Sequence, residues 1–221
     1  MAHHAHEAAE DRPFKASAKV TQLAIALLVL GVVGLGYAFT GEAWRAWSNV
    51  LIGGFYFIGI SLGASFIYAL YSMVKAGWWV VIKRPLEAFT SYLPIGFATM
   101  LVIGLFGMHE LYEWSHADIV AGDHLLQHKA KLLNETGWII RVCIYFGLWM
   151  TTTFFMVRNS RAQDAVGGDK LITRNVKLGA IHIVIYALTI TFAGLDWMSS
   201  LEPHWFSTMF GVYQFIGMFV G

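Results

Sequence analysis

Asp196, Glu202 and His204 stand close together in the stretch Phe192–Tyr213, between two apolar runs. A plain turn at a lipid surface needs neither two carboxylates nor an imidazole. A second group, His109, Glu110 and Glu113 with His116 beyond, closes an earlier apolar run, and Arg141 lies in the first turn of the next. Carboxylates and imidazoles at headgroup depth suit proton-coupled chemistry, such as taking up the two protons released when a quinol is oxidised. The plain alternative is that they are helix ends wetted by headgroups. His109 and Glu113 lie four apart and are expected to share one helix face, which His116 extends by a turn. That spacing also admits a metal, although no further ligand follows at helical spacing. Asp123, His124 and His128 form a second such set, readable as the wet side of an amphipathic helix.

The elements that position these groups are membrane spans. Hydrophobic residues make up 57% of the 221 residues and charged residues 13%, against roughly a quarter charged in ordinary globular proteins. About 20 apolar residues are needed to cross the hydrocarbon. Six stretches qualify: residues 20–39, 49–74, 93–111, 138–156, 179–197 and 205–221, preceded by a polar tail over 1–19 that carries His4 and His6. The expected fold is an all-α, polytopic integral membrane bundle. Gly59 and Gly63 have the small-xxx-small spacing that lets helices approach closely. Trp78–Pro94, with Lys83, Arg84, Pro85 and Glu87, reads as an interfacial amphipathic segment. The last run reaches Gly221 without a polar flank, which leads us to expect further helices beyond it.

Lysine and arginine set the orientation. Eleven of the fifteen fall in the tail and in the second and fourth connections, including Lys83, Arg84, Arg158 and Arg161. The N-terminus is therefore expected in the cytoplasm, with His109, Glu110, Glu113, Arg141, Asp196, Glu202 and His204 all at the outer boundary. Inside the spans the informative residue is His182, about a turn from the inner end of the fifth. It reads either as a hydrogen-bonded core histidine or as part of an inner proton path with Tyr68, Tyr71 and Thr152, which the topology puts at similar depth.

The chain has one cysteine, Cys143, so it carries neither a disulfide framework nor a Cys-rich metal or cluster site of its own. There is no Gly-rich phosphate loop or nucleophile elbow, no secretory leader is expected from the polar N-terminal residues, and the near-cancelling charge gives no nucleic-acid signal. No redox cofactor site is recognisable, so any electrons would be carried by partners.

The stretch Gly194-Leu-Asp-Trp-Met-Ser-Ser-Leu-Glu-Pro-His-Trp-Phe-Ser-Thr-Met-Phe-Gly-Val-Tyr213 closely resembles a signature of the second quinol-binding-type membrane subunit of bacterial alternative complex III (ActF). That family is related to the membrane subunits of polysulfide and nitrite reductases. The five preceding spans, with Lys83-Arg84-Pro85 after the second, are similar in layout. Members of the family have roughly ten spans, which again implies that more chain follows. The resemblance implies a subunit of a respiratory quinol:electron-acceptor oxidoreductase in the bacterial inner membrane, with quinone as a possible ligand. It further implies a sister quinol-binding membrane subunit, an iron–sulfur subunit and multihaem and monohaem cytochrome c subunits as partners. A structural scaffold in the same complex and a secondary transporter stand as alternatives, the latter needing a broken helix in each of two halves.

Overall fold

The computed structural model describes residues 16–167 and 169–220. It is 86% helical, and no strand occurs among the described residues. Among the described residues, five helical stretches are long and apolar enough to cross a bilayer. The chain is thus an all-α, multi-pass membrane protein. Most of the expected polar tail, His4 and His6 included, lies outside the described residues.

The chain divides into two compact units, Met1–Ala43 and Trp44–Gly221. In the first, α1 (Ala18–Ala38) starts at Ser17, whose side chain accepts from the Val20 amide at 3.4 Å. It carries no charged side chain beyond Lys19.

The second unit holds the bundle. In α2 (Ala43–Val74) the buried residues Leu51, Gly54, Ile58, Leu62, Ser65, Ala69 and Ser72 recur at intervals of three and four. That spacing turns one stripe of a helix inward. The helix stops at Lys75, which takes a left-handed φ of 50°. A short α3 (Val80–Thr90) turns Glu87 and Thr90 inward. The expected interfacial segment is thus helical over most of its length.

The expected third span, 93–111, is not one regular helix. It runs as α4 (Leu93–Val102), a π-helical turn over Ile103–Gly107, and α5 (Met108–Leu111). The π turn sits where two glycines meet large rings. A Cβ on Gly104 would lie 2.6 Å from the Trp138 ring, and one on Gly107 2.6 Å from that of Trp47. Such single π turns are frequent at functional sites.

Two short helices, α6 (Ala117–Gly122) and α7 (His124–Lys129), lead into the longest antiparallel pair, α8 (Glu135–Val166) and α9 (Lys170–Trp197). Asn134 caps α8 by accepting from the Gly137 amide at 2.7 Å. Gly167, at φ 66°, ends it in a conformation that favours glycine. The last described helix is α10 (Phe210–Val220). It begins five residues later than the expected 205, because 205–209 are turn or irregular backbone.

Lipid tails are as apolar as leucine, so helices in a bilayer associate through close packing and hydrogen bonds. Both are present here. A Cβ at Gly63 would fall on the Met218 carbonyl oxygen, and one at Gly179 would lie 2.8 Å from the Ala69 carbonyl. These two glycines therefore set how near α10 and α9 come to α2. In the core, Trp197 stacks on Phe146 (5.8 Å, 19°) and meets Trp149 edge-on (6.1 Å, 88°). Pairs of this kind contribute about 0.5–1.5 kcal/mol each beyond burial.

Candidate functional site

Polar side chains recur along the face that α8 turns to α9. From one end to the other, the cross-helix pairs are Asn159 with Asn175, Thr152 with His182, Trp149 with Thr189, and Tyr145 and Arg141 with Asp196. The 18 residues from Arg141 to Asn159 rise about 27 Å, close to the roughly 30 Å of bilayer hydrocarbon. Polar groups at such depth are expensive and conventionally mark a pathway or a bundle-holding bond.

At one end, Asp196 is buried and held by α8 and by the short turn Ser199–Leu201. Arg141 Nε donates to its Oδ2 at 2.7 Å, and the Tyr145 hydroxyl donates to the same oxygen at 2.8 Å. Its backbone carbonyl accepts from Trp138 Nε1 at 3.1 Å and from the Ser200 hydroxyl at 2.5 Å. Arg141 also donates through Nη1 to the Leu132 carbonyl at 2.9 Å. Buried aromatic donors cover the site: Tyr112 bonds the Trp197 carbonyl (2.9 Å) and Trp114 the Ser200 carbonyl (3.1 Å).

Midway, His182 is fully buried. Its Nδ1 lies 2.7 Å from the Thr152 hydroxyl and its Nε2 3.1 Å from the Ser65 hydroxyl of α2. Each hydroxyl also has a backbone acceptor: Leu148 for Thr152 (2.8 Å) and Leu62 for Ser65 (2.7 Å). A neutral imidazole has one N–H and one lone pair. One of the two hydroxyls must then donate to the ring and the other to its own helix. If the ring gains a proton, both hydroxyls can donate to backbone. Proton loading at His182 therefore requires the rotation of one hydroxyl and no movement of a helix.

At the other end Glu87 of α3 is buried, with only 4% of its surface exposed. It accepts from the Ser160 hydroxyl and from Arg84, which also pairs with Asp164. Next to it, Asn175 Nδ2 and the Tyr68 hydroxyl both donate to the Met156 carbonyl, at 2.9 and 3.3 Å. A cavity of about 630 Å³ opens on this end, lined by Tyr68, Ser160 and Asn175 together with Lys83 and Asp169.

The sequence-derived candidates separate sharply. Arg141 and Asp196 meet directly, as do His182 and Thr152. Tyr68 sits at the Glu87 end and bonds Met156 rather than His182. Tyr71 is half-buried with its ring against Trp78 (4.8 Å). Glu110, Glu113 and Glu202 are exposed. The expected shared helix face of His109, Glu113 and His116 does not form. The helix ends at Leu111, Tyr112 is extended (φ −119°, ψ 114°), and Glu113 starts a separate 3₁₀ turn. The two imidazoles still come within 5.4 Å, while His109 bonds Ser115 (3.1 Å) and lies 3.6 Å from Glu135. Among the described residues, no three His, Cys, Asp or Glu side chains cluster so as to hold a metal ion. Ser65, Tyr145, Ser160, Asn175 and the burial of Glu87 were not anticipated. The signal available in the sequence is the i, i+4 and i+7 spacing of Tyr145, Trp149 and Thr152, which puts them on one helix face.

His204 pairs with Asp123 at 2.6 Å, and Lys129 Nζ donates to the Pro203 carbonyl at 2.6 Å. These contacts fasten the α6–α7 connection over the Asp196 end. Desolvation, the largest single influence, pulls the Asp123 carboxyl upward. The amides of Leu125 and Leu126 and the His204 imidazole outweigh it and hold the carboxyl below its ordinary range. A depressed carboxyl stabilises above its unfolded pKa and loses that contribution as pH falls through the folded one. Hydrogen exchange at the Leu125 and Leu126 amides is therefore expected to accelerate, relative to neighbouring amides, below the ordinary carboxylate pKa. Asp123→Asn should produce the same acceleration at neutral pH.

No protein-family model matches the chain, and no curated protein matches it.

Proposed function

We propose that the chain is an integral membrane subunit of a respiratory quinol-oxidising complex, and that its part is proton transfer along the α8–α9 seam. The observation that carries this reading is the seam itself: hydrogen-bonded polar groups over about 27 Å of helix, with a buried carboxylate at each end and an imidazole between two hydroxyls in the middle. The cavity beside Glu87 supports it by giving water a route to Ser160 and Asn175. The resemblance of Gly194–Tyr213 supplies the class of complex. On this reading the electrons pass through partners: an iron–sulfur subunit, multihaem and monohaem cytochrome c subunits and a sister quinol-binding membrane subunit. The polar tail over 1–19 lies in the cytoplasm of a bacterial cell and the Asp196 end faces outward, in line with the lysine and arginine distribution.

A scaffold role in the same complex is favoured by a different observation. Tyr112, Trp138 and Trp197 are fully buried at the Asp196 end, where a quinol ring would otherwise approach Asp196 from between these spans. Two measurements test these readings, the first both together and the second one against the other. The chain purified from its native membrane should bring haem and iron with it; a colourless, iron-free preparation would end both. In the intact complex, His182→Ala or Thr152→Val should slow proton-coupled turnover about a hundredfold, the usual scale for losing a positioned acid–base group. Unchanged turnover and proton stoichiometry in both variants would leave the scaffold reading.

A further inference from the structure

On the other side of Glu87 from the polar cavity, a groove of about 430 Å³ runs between α8 and the α3–α4 corner. Its walls are mostly apolar, formed by Leu93 and Pro94 beside Thr90 and Ser91 on one side and by Met150, Phe154 and Val157 on the other. At its mouth stand Arg158 and Arg161, both exposed and neither paired with a carboxylate among the described residues. Within it lies Thr153, 5% exposed, whose Oγ1 has no hydrogen-bond partner among the described residues. Glu87 also borders the groove, but Arg84 and Ser160 already occupy its carboxylate.

The groove's length, polarity and charge select one kind of occupant. From Arg161 to Met150 the helix rises about 16 Å, one leaflet of a bilayer whose hydrocarbon is about 30 Å thick. An apolar trough one leaflet deep takes an acyl chain. Two guanidiniums at its head, presenting parallel N–H donors, suit a phosphodiester. A buried hydroxyl donor about 8 Å along the helix from Arg158 is placed for an ester carbonyl just below the phosphate. We propose that this groove is a binding site for one anionic phospholipid, its phosphate on Arg158 and Arg161, one acyl chain along Met150, Phe154 and Val157, and an ester carbonyl accepting from Thr153.

The test uses the full chain, delipidated in a neutral detergent and titrated separately with dioleoyl phosphatidylglycerol, dioleoyl phosphatidylcholine and inorganic phosphate. Binding is read by native mass spectrometry and by the thermal midpoint. Phosphatidylglycerol should bind roughly thirtyfold more tightly than phosphatidylcholine, each arginine contributing about fivefold at a basic lipid-facing site. Arg158→Gln with Arg161→Gln should bring the two lipids within about twofold, and Arg158→Lys with Arg161→Lys, which keeps the charge, should retain most of the preference. Thr153→Val should weaken both lipids equally. Equal binding of the two lipids by the wild-type chain would overturn the proposal, as would a preference that survives the double glutamine variant. Stabilisation by inorganic phosphate matching that by phosphatidylglycerol would reduce the site to an anion contact and overturn the lipid assignment.

Discussion

Asp196→Leu is expected to destabilise the bundle by about 3–5 kcal/mol, the cost of removing one partner from a buried ion pair. The side chains of Arg141 and Asp196 are 19% and 7% exposed, so neither charge can turn to water without opening the α8–α9 seam. Removing the carboxylate strands the guanidinium. It also deprives the Tyr145 hydroxyl of its acceptor. The companion variants identify the cause. Arg141→Met combined with Asp196→Leu removes both charges and should recover most of the loss, because an apolar pair of similar volume often replaces a buried ion pair at little cost. Tyr145→Phe alone should cost about 1.5–3 kcal/mol, the scale of one hydrogen bond to a charged acceptor, here a carboxylate that keeps its arginine. Denaturant titration in detergent micelles, followed by tryptophan fluorescence, reads all three. A single leucine variant as stable as the wild type would show that the pair is solvated and contributes nothing to the fold.

Gly63→Ala should be the most damaging methyl addition in α2. The new Cβ meets the backbone carbonyl of Met218, and backbone cannot rotate aside as a side chain can. Helix α10 must shift, and overpacking of this kind costs about 1–3 kcal/mol. The same reasoning applies to Gly179→Ala, whose Cβ would meet the Ala69 carbonyl. Gly53→Ala is the control. Nothing lies within 4 Å of its Cβ, and a helix gains about 0.5–1 kcal/mol when alanine replaces glycine. Thermal midpoints should therefore fall for Gly63→Ala and hold or rise for Gly53→Ala, and exchange protection over Phe210–Val220 should drop only in the former. Equal behaviour of the two variants would mean that α10 is not seated by this contact.

The spans were legible in the sequence because a run of apolar residues without charge has few other uses at this length. Val20–Phe39 and Asn49–Val74 fall within α1 and α2 apart from a residue or two. The π turn at Ile103–Gly107 was not legible, since the rings that lie against its two glycines, Trp47 and Trp138, come from distant parts of the chain. The site was half legible. Depth along a span brought His182 and Thr152 to one level, and span ends brought Arg141 near Asp196. What a single span cannot state is which face meets which neighbour. Ser65 became a partner of His182 only through the register of α2 against α9. Glu87 was read as interfacial because its own segment is amphipathic, yet Ser160, far along the chain, draws it inside.

The indole of Trp149 gives the seam a directional property. Its Nε1–H donates to the Thr189 hydroxyl at 2.7 Å, and an indole nitrogen has no lone pair with which to accept a proton in return. The row of bonded groups is therefore no unbroken wire. Among the described residues no side-chain hydrogen bond links the Trp149 indole or the Thr189 hydroxyl to Tyr145 or His182, and none links His182 to the Glu87 cluster. A membrane potential drops about 2.3 kcal/mol per elementary charge for each 100 mV, and a continuous relay would short it. On the proton-transfer reading proposed above, a proton moving between the His182 level and the Asp196 end must pass around the Trp149–Thr189 pair rather than through it.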